Sequence, residues 1–353
     1  MRSCHLLFVF AAAFSFISSA MSETAEQSVD NLFQRFSGPA PGAAVMVIKN
    51  GKPLLAKAYG MANLEKKTPC STKTNFRLAS VTKQFTAMTI LILAEQGKLS
   101  LDDKITKFFP EFHEYGKAIS VRHLLTHTSG LIDYEDVIPT GTTIPVLDRD
   151  VLVLLLQQNK TYFTPGAEFR YSNTAYALLT LIVESVSGKT FPAFLKENLF
   201  NPLGMTQSLA YVPGVSVVPN RSFGYGQKGD AFEFSDQSLT SAVLGDGGVY
   251  SSILDLYKWD QALYSDKLVS RKMLEDAFSI HSSKSDFKES GYGYGWYLGE
   301  HRGVKEIWHY GSTCGFSTEI KRYPDKQLTV IVLTNRRDAE IKETVMKVVD
   351  LYW

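Results

Sequence analysis

The chain has 353 residues, 44% of them apolar, which is long enough to bury a large core in one enzyme-sized domain or two small ones. Lysine and arginine total 37 against 36 acids, a formal net charge of +1, and this balance excludes the basic excess that nucleic acid or an anionic membrane surface demands. Three cysteines are too few for a disulfide framework.

The first 20 residues have a basic start at Arg2, an apolar run from Leu6 to Ile17, and small residues at Ser18 and Ala20. This pattern predicts a secretory signal cleaved after Ala20 and a periplasmic or secreted mature protein. The run is shorter than the about 20 residues that span a bilayer, and no second one follows, so no stable membrane insertion is expected. Cys4 leaves with the signal. Cys70 and Cys314 can pair in an oxidising compartment, but neither sits in a C-x-x-C motif, and ordinary buried thiols are the simpler expectation.

Residues 23–36 are predicted as an amphipathic helix with Val29, Leu32, Phe33 and Phe36 on one side. Two β-prone runs, 43–48 and 54–59, flank Asn50-Gly51, a hairpin signal. From Ser80 to Gln96 neither proline nor glycine interrupts the chain; Val81, Phe85, Met88 and Ile92 recur at helical spacing, and Gly97 is placed as a cap. The second half of this helix is apolar nearly all round, as in a helix enclosed by its domain. Between Leu99 and Met205 strand signals are few, with helices predicted over 121–125, 149–158 and 174–187. Strand character returns at 292–298, 318–323 and 328–334, the last two joined by a turn at Pro324-Asp325-Lys326. A final helix carries Ile341, Val345, Val348 and Tyr352 on one face. Sheet segments at both ends and a helical insertion between them, with no repeat or low-complexity linker, describe two lobes of one folding unit.

Three stretches carry chemistry. In the first, Ser80 and Lys83 lie three apart at the start of an enclosed helix, so their side chains share a face about 5–6 Å apart. Burial lowers a lysine pKa and makes the amine a base, while the helix N-terminus favours negative charge developing on the serine; the pair reads as an activated nucleophile. In the second, Tyr171 and Asn173 are two apart before a helix. A tyrosine beside a cationic lysine can exist partly as phenolate and relay a proton, and Asn173 can orient Lys83 or hold a substrate carbonyl, although Asn173 also suits a helix N-cap. The third is the run Trp308 to Phe316. Its Gly311 permits close approach of a substrate backbone, the Ser312 N–H is a second oxyanion donor beside that of Ser80, and His309 is a substrate contact whose charge would be conditional around pH 6.5.

Ser80-x-x-Lys83, Tyr171-x-Asn173 and His309-x-Gly311, in this order, resemble the penicillin-recognising serine hydrolase superfamily, specifically the class C β-lactamase-related branch with its D-alanyl-D-alanine carboxypeptidases, D-aminopeptidases and esterases. Leu124 to Leu131, Pro165-Gly166, Asn201 to Met205, Gly247 to Ser252 and Tyr292 to Trp296 extend the resemblance over nearly the whole mature chain. It implies an α+β, β-lactamase/transpeptidase-like fold: an antiparallel sheet flanked by helices, an all-helical lobe over about residues 100–210, and the site between them. One departure stands out, because class C β-lactamases begin the third motif with lysine where this chain has His309. No dedicated acid for a deacylating water is evident, which leaves Tyr171 with Lys83 as base.

Other readings fail on spacing. The run Gly311 to Gly315 has threonine at its centre, so no G-x-S-x-G elbow exists, and His113, His123, His127, His281 and His301 show no metal-ligand pattern. No metal and no cofactor is expected. The sequence therefore points to a secreted serine hydrolase that forms a Ser80 acyl-enzyme with Lys83 and Tyr171 moving the proton, and with Asn173, His309, Gly311 and Ser312 placing a small-molecule or short-peptide substrate. D-amino-acid peptides and small carboxylic esters both fit; a β-lactamase proper or a non-catalytic peptidoglycan-fragment or penicillin-binding protein are the alternatives.

Overall fold

In the computed structural model the described residues are 25–337 and 340–353; the signal-like stretch at residues 1–20, and Cys4 within it, lies outside them. The centre of the fold is a seven-stranded antiparallel sheet. Its strands are β1 (Ala43–Lys49), β2 (Lys52–Tyr59), β3 (Gly291–Tyr292), β4 (Tyr297–His301), β5 (Val304–Thr313), β6 (Phe316–Tyr323) and β7 (Leu328–Thr334). They lie in the order β3-β4-β5-β6-β7-β1-β2, so the first strand of the chain pairs with the last, Val45 opposite Val332. The β1–β2 turn has Asn50 at φ 51 and Gly51 at φ 72, the left-handed pair that a two-residue hairpin needs.

Both faces of the sheet are covered, which is why β1 and β7 read as continuous apolar runs rather than alternating ones. Val45, Val47, Val330 and Val332 face the terminal helices, residues 25–32 and Ile341–Leu351, through Val29, Phe33, Val345 and Val348. Ala44, Met46, Ile331 and Leu333 face the opposite way into the large core, together with Phe85 and Leu91 of the helix Lys83–Glu95. That core continues without a break through Leu124, Val151 and Ile182 of the helices Val121–Leu125, Asp148–Leu156 and Asn173–Ser187. The two lobes thus share one interior.

Several expectations shift. The N-terminal helix stops at residue 32, followed by a separate 3-10 turn, Gln34–Phe36. The run 292–298 is a hairpin, β3 and β4, because Gly295 at φ 79 turns the chain where a Cβ would lie 2.8 Å from the Lys83 carbonyl oxygen. The strand β5 was not expected at all: its burial pattern does not alternate, so no period of two marks it. The helices Ile253–Ala262 and Arg271–Ala277 were also unexpected. Cys70 and Cys314 are free thiols, and burial raises the Cys70 pKa to about 12. No single described helix is long and apolar enough to cross a membrane.

Candidate active site

Ser80 stands in a 3-10 turn, Ala79–Thr82, that leads directly into Lys83–Glu95. Ala79 has φ 48, a left-handed conformation that an alanine adopts only when its surroundings impose it. Three contacts impose it. Phe76–Arg77 pairs with Val249–Ser251, the Leu78 N–H donates to the Val249 carbonyl at 2.8 Å, and the Leu78 carbonyl accepts the Thr318 hydroxyl at 2.7 Å. The serine is thereby presented at the junction of the sheet and the helices.

The Lys83 side chain is fully buried. Its Nζ donates to Ser80 Oγ at 3.2 Å, Asn173 Oδ1 at 2.8 Å and the Asp246 carbonyl at 2.9 Å. Burial pushes its pKa down, opposed by the carboxylates of Asp246, Asp133 and Glu135. A primary amine of lowered pKa touching a serine hydroxyl can take its proton. Asn173 sits where its amide reaches Lys83, but it is the first helical residue rather than the cap: Ser172 Oγ accepts from Ala175 N and fills that role.

Tyr171 joins the group with a chemistry different from the one expected. Lys83 Nζ lies over the face of its ring, 4.7 Å from the centroid, not against its oxygen. Burial holds the Tyr171 hydroxyl well above the usual phenol range, with Ser80 acting the other way. Tyr171 is therefore a phenol, not a phenolate, and its buried Oη has no hydrogen-bond partner of normal geometry. His127 stacks on this ring with centroids 4.4 Å apart and accepts the Ser172 N–H at 3.0 Å.

His309 and Gly311 stand in surroundings other than those expected from sequence. His309 is wholly buried; its Nδ1 lies 2.7 Å from the Tyr310 carbonyl and its Nε2 3.0 Å from the Tyr292 hydroxyl. A carbonyl only accepts, so Nδ1 carries the proton and Nε2 accepts from Tyr292. Burial lowers the His309 pKa to about 3. It is a neutral brace and carries no conditional charge. A Cβ on Gly311 would lie 2.3 Å from the Leu78 carbonyl oxygen and 2.8 Å from Ser80 N, so the serine's own turn approaches this glycine closely. Ser312 is exposed and lines a cleft of about 70 Å³ with Ser80, Asn173, Asp246 and Glu135. Larger hollows lie elsewhere on the surface, lined by residues such as Phe278 and Lys305, and none of their walls includes Ser80.

Residues not foreseen complete the surroundings. Asp246 supplies the carbonyl that holds Lys83, and its carboxyl, raised by burial, accepts the Tyr134 hydroxyl at 3.1 Å. Asp148, raised by burial to about 8, accepts from the Leu244 and Gly245 N–H groups and ties down the loop that carries Asp246. Glu135 accepts from Asn173 Nδ2 at 3.2 Å. The only local signal for them is position: Asp246 is flanked by Gly245 and Gly247, and Tyr134-Glu135 follows the Leu124–Leu131 stretch.

A buried lysine against a serine, between an antiparallel sheet and a helical lobe, defines a serine hydrolase of the β-lactamase and penicillin-binding-protein type. The chain belongs to the beta-lactamase family, whose family model matches residues 29–348. It is 32% identical over 321 residues to penicillin-binding protein 4* of Bacillus subtilis (strain 168), covering 86% of this chain and 70% of that protein. Against further curated relatives it spans 66% of their length. The fold superposes on the octameric penicillin-binding protein homologue from Pyrococcus abyssi with a TM-score of 0.82 at 27% identity, covering 94% of this chain and 77% of that one. It superposes on the D-amino acid amidase from Ochrobactrum anthropi SV3 with a TM-score of 0.80 at 22% identity, covering 93% and 98%; this last is a likeness of fold.

Proposed function

We propose that the chain is an exported serine hydrolase that works through a Ser80 acyl-enzyme on D-amino-acid peptides or small carboxylic esters. The observation that carries this reading is the 3.2 Å contact between the buried Lys83 amine and Ser80 Oγ. In acylation neutral Lys83 takes the serine proton as Oγ attacks the carbonyl, and the N–H groups of Ser80 and Ser312, on the same cleft, receive the oxyanion. Tyr171, a phenol facing the serine, acts as the acid that hands a proton to the leaving group. Deacylation reverses these roles for water. The neutral state of His309 weighs against a site built around a cation in the third motif, and so against efficient β-lactam hydrolysis. Export is supported by the signal-like residues 1–20.

The test is intact-protein mass spectrometry after exposure to a penicillin, an activated ester and a D-Ala-D-Ala peptide, with turnover measured in parallel. Mass addition that turns over with the ester or peptide supports the proposal. Ser80→Ala must lose both adduct and turnover; an acyl adduct on that variant would sink the nucleophile assignment. Adducts that never turn over would identify a binding protein instead.

A further inference from the structure

We propose that Glu135 determines which substrates this cleft accepts, by receiving the free ammonium group of an α-amino-acyl amide or ester. The inference rests on the Ser80 acyl-enzyme reading and gives it a substrate class.

Glu135 lies in the 3-10 turn Tyr134–Asp136 and lines the same cleft as Ser80, Asn173 and Ser312. It is exposed toward solvent, yet its carboxylate is held in place, because Asn173 Nδ2 donates to it at 3.2 Å while Asn173 Oδ1 accepts from Lys83 at 2.8 Å. One amide therefore spaces the carboxylate from the serine's base. The basic group that bears on Glu135 is Lys83, whose Nζ is already engaged with Ser80, Asn173 and Asp246. Asp133 stands beside Glu135, and partial burial of the carboxyl, followed by repulsion from Asp133, raises it above its ordinary range against the opposing pull of Asn173 and Lys83. An entering cation relieves that repulsion.

Behind Ser80, the buried Tyr171 Oη has no hydrogen-bond partner of normal geometry, and Ser80 is the group that acts on it; a substrate atom at the reacting carbonyl would give it a full partner. The complementary possibility, a substrate carboxylate, finds little to bind. His309 is neutral and enclosed. Arg77 lines the cleft, but it is 2% exposed and its two terminal nitrogens donate to Gln237 Oε1 at 3.1 Å and the Ser241 carbonyl at 2.8 Å, with the unpartnered Nε buried out of a ligand's reach. A carboxylate and an ammonium form a charge-assisted hydrogen bond, weakened at this site by solvent, so the expected discrimination is about tenfold rather than thousands.

The test compares kcat/KM for D-alanine p-nitroanilide and its N-acetyl and N-succinyl analogues in the parent and in Glu135→Gln, with the Ser80 adduct followed by intact mass. Glutamine keeps an oxygen for Asn173 Nδ2 and removes the charge at an exposed position. The expected result is a parent preference for the free amine and a drop of about tenfold or more in the free-amine to N-acetyl ratio in the variant, expressed in KM. An unaltered ratio overturns the assignment. Equal losses on both substrates with a long-lived acyl-enzyme also overturn it, since they would make Glu135 the base for the deacylating water. A parent preference for the succinyl substrate overturns it in favour of Arg77. If the parent forms no Ser80 adduct with any of them, the acyl-enzyme reading fails and this inference with it.

Discussion

Lys83 can serve as a base only in its neutral form, and burial makes that form accessible by lowering its pKa below that of a free lysine. Because neutral amine accumulates as pH rises through that lowered value, kcat/KM should climb along an acidic limb centred below the range of free lysine. A pH–rate profile with no limb below about pH 10 would remove Lys83 from proton transfer. Lys83→Ala should slow acylation by at least about a hundredfold, measured by stopped-flow adduct formation. At His309 the argument runs through stability. Nδ1–H is donated to the Tyr310 carbonyl and Nε2 accepts from Tyr292, so a lysine there would bury an uncompensated ammonium. His309→Lys should destabilise the fold by about 3–5 kcal/mol in urea titration. It should not sharpen attraction for carboxylate substrates; a stable, active variant with lower KM for them would mean that His309 faces the cleft after all.

At the scale of elements, the site depends on how closely β5 passes the serine's turn. At Gly311 the atoms nearest an added Cβ are the backbone atoms Leu78 O and Ser80 N, at 2.3 and 2.8 Å, and backbone pinned to Val249 and Thr318 cannot move aside as a flexible side chain would. Gly311→Ala should therefore shift Ser80 and its oxyanion N–H, lowering kcat by about a hundredfold, the scale of one lost oxyanion donor. Stability should fall by only about 1–3 kcal/mol, as for overpacking. Retention of near-parental kcat would show that the turn tolerates displacement. The same logic explains Ala79: the strained φ is maintained by the strand pairing on one side and the Thr318 hydroxyl on the other.

For the whole molecule, the continuous interior from β1 and β7 to the helices around Ile182 implies that the lobes unfold together. Tryptophan fluorescence and far-ultraviolet circular dichroism should give coincident urea transitions, and two separated midpoints would show independent lobes. Asp260 offers a way to perturb this unit away from the cleft. Its Oδ1 accepts from Arg322 Nε at 2.7 Å and from the Thr329 hydroxyl at 2.8 Å, and the Asp260 and Arg322 side chains are each only 1% exposed. Asp260→Ala leaves a buried guanidinium without its counter-charge and should lower stability by about 3–5 kcal/mol, while kcat/KM of the folded fraction stays near that of the parent. Loss of activity before unfolding would reveal coupling between this ion pair and the site.

What could be read from the sequence alone was what local rules govern. The spacing of Ser80 and Lys83 on a helix, the Tyr171-x-Asn173 step before another, the Asn50-Gly51 hairpin and the apolar face of the last helix all follow from backbone periodicity and turn chemistry within a few residues. The tertiary structure decided everything that depends on segments distant in the chain. The pairing of β1 with β7, the strand β5, the left-handed Ala79 and the convergence of Glu135 and Asp246 on Lys83 are set by contacts that no local period encodes. Charge states belong to the same class. A histidine and a tyrosine chosen for their ordinary pKa values became a neutral brace and a full phenol, because desolvation depends on which distant residues enclose a group, and spacing along the chain carries no record of that enclosure.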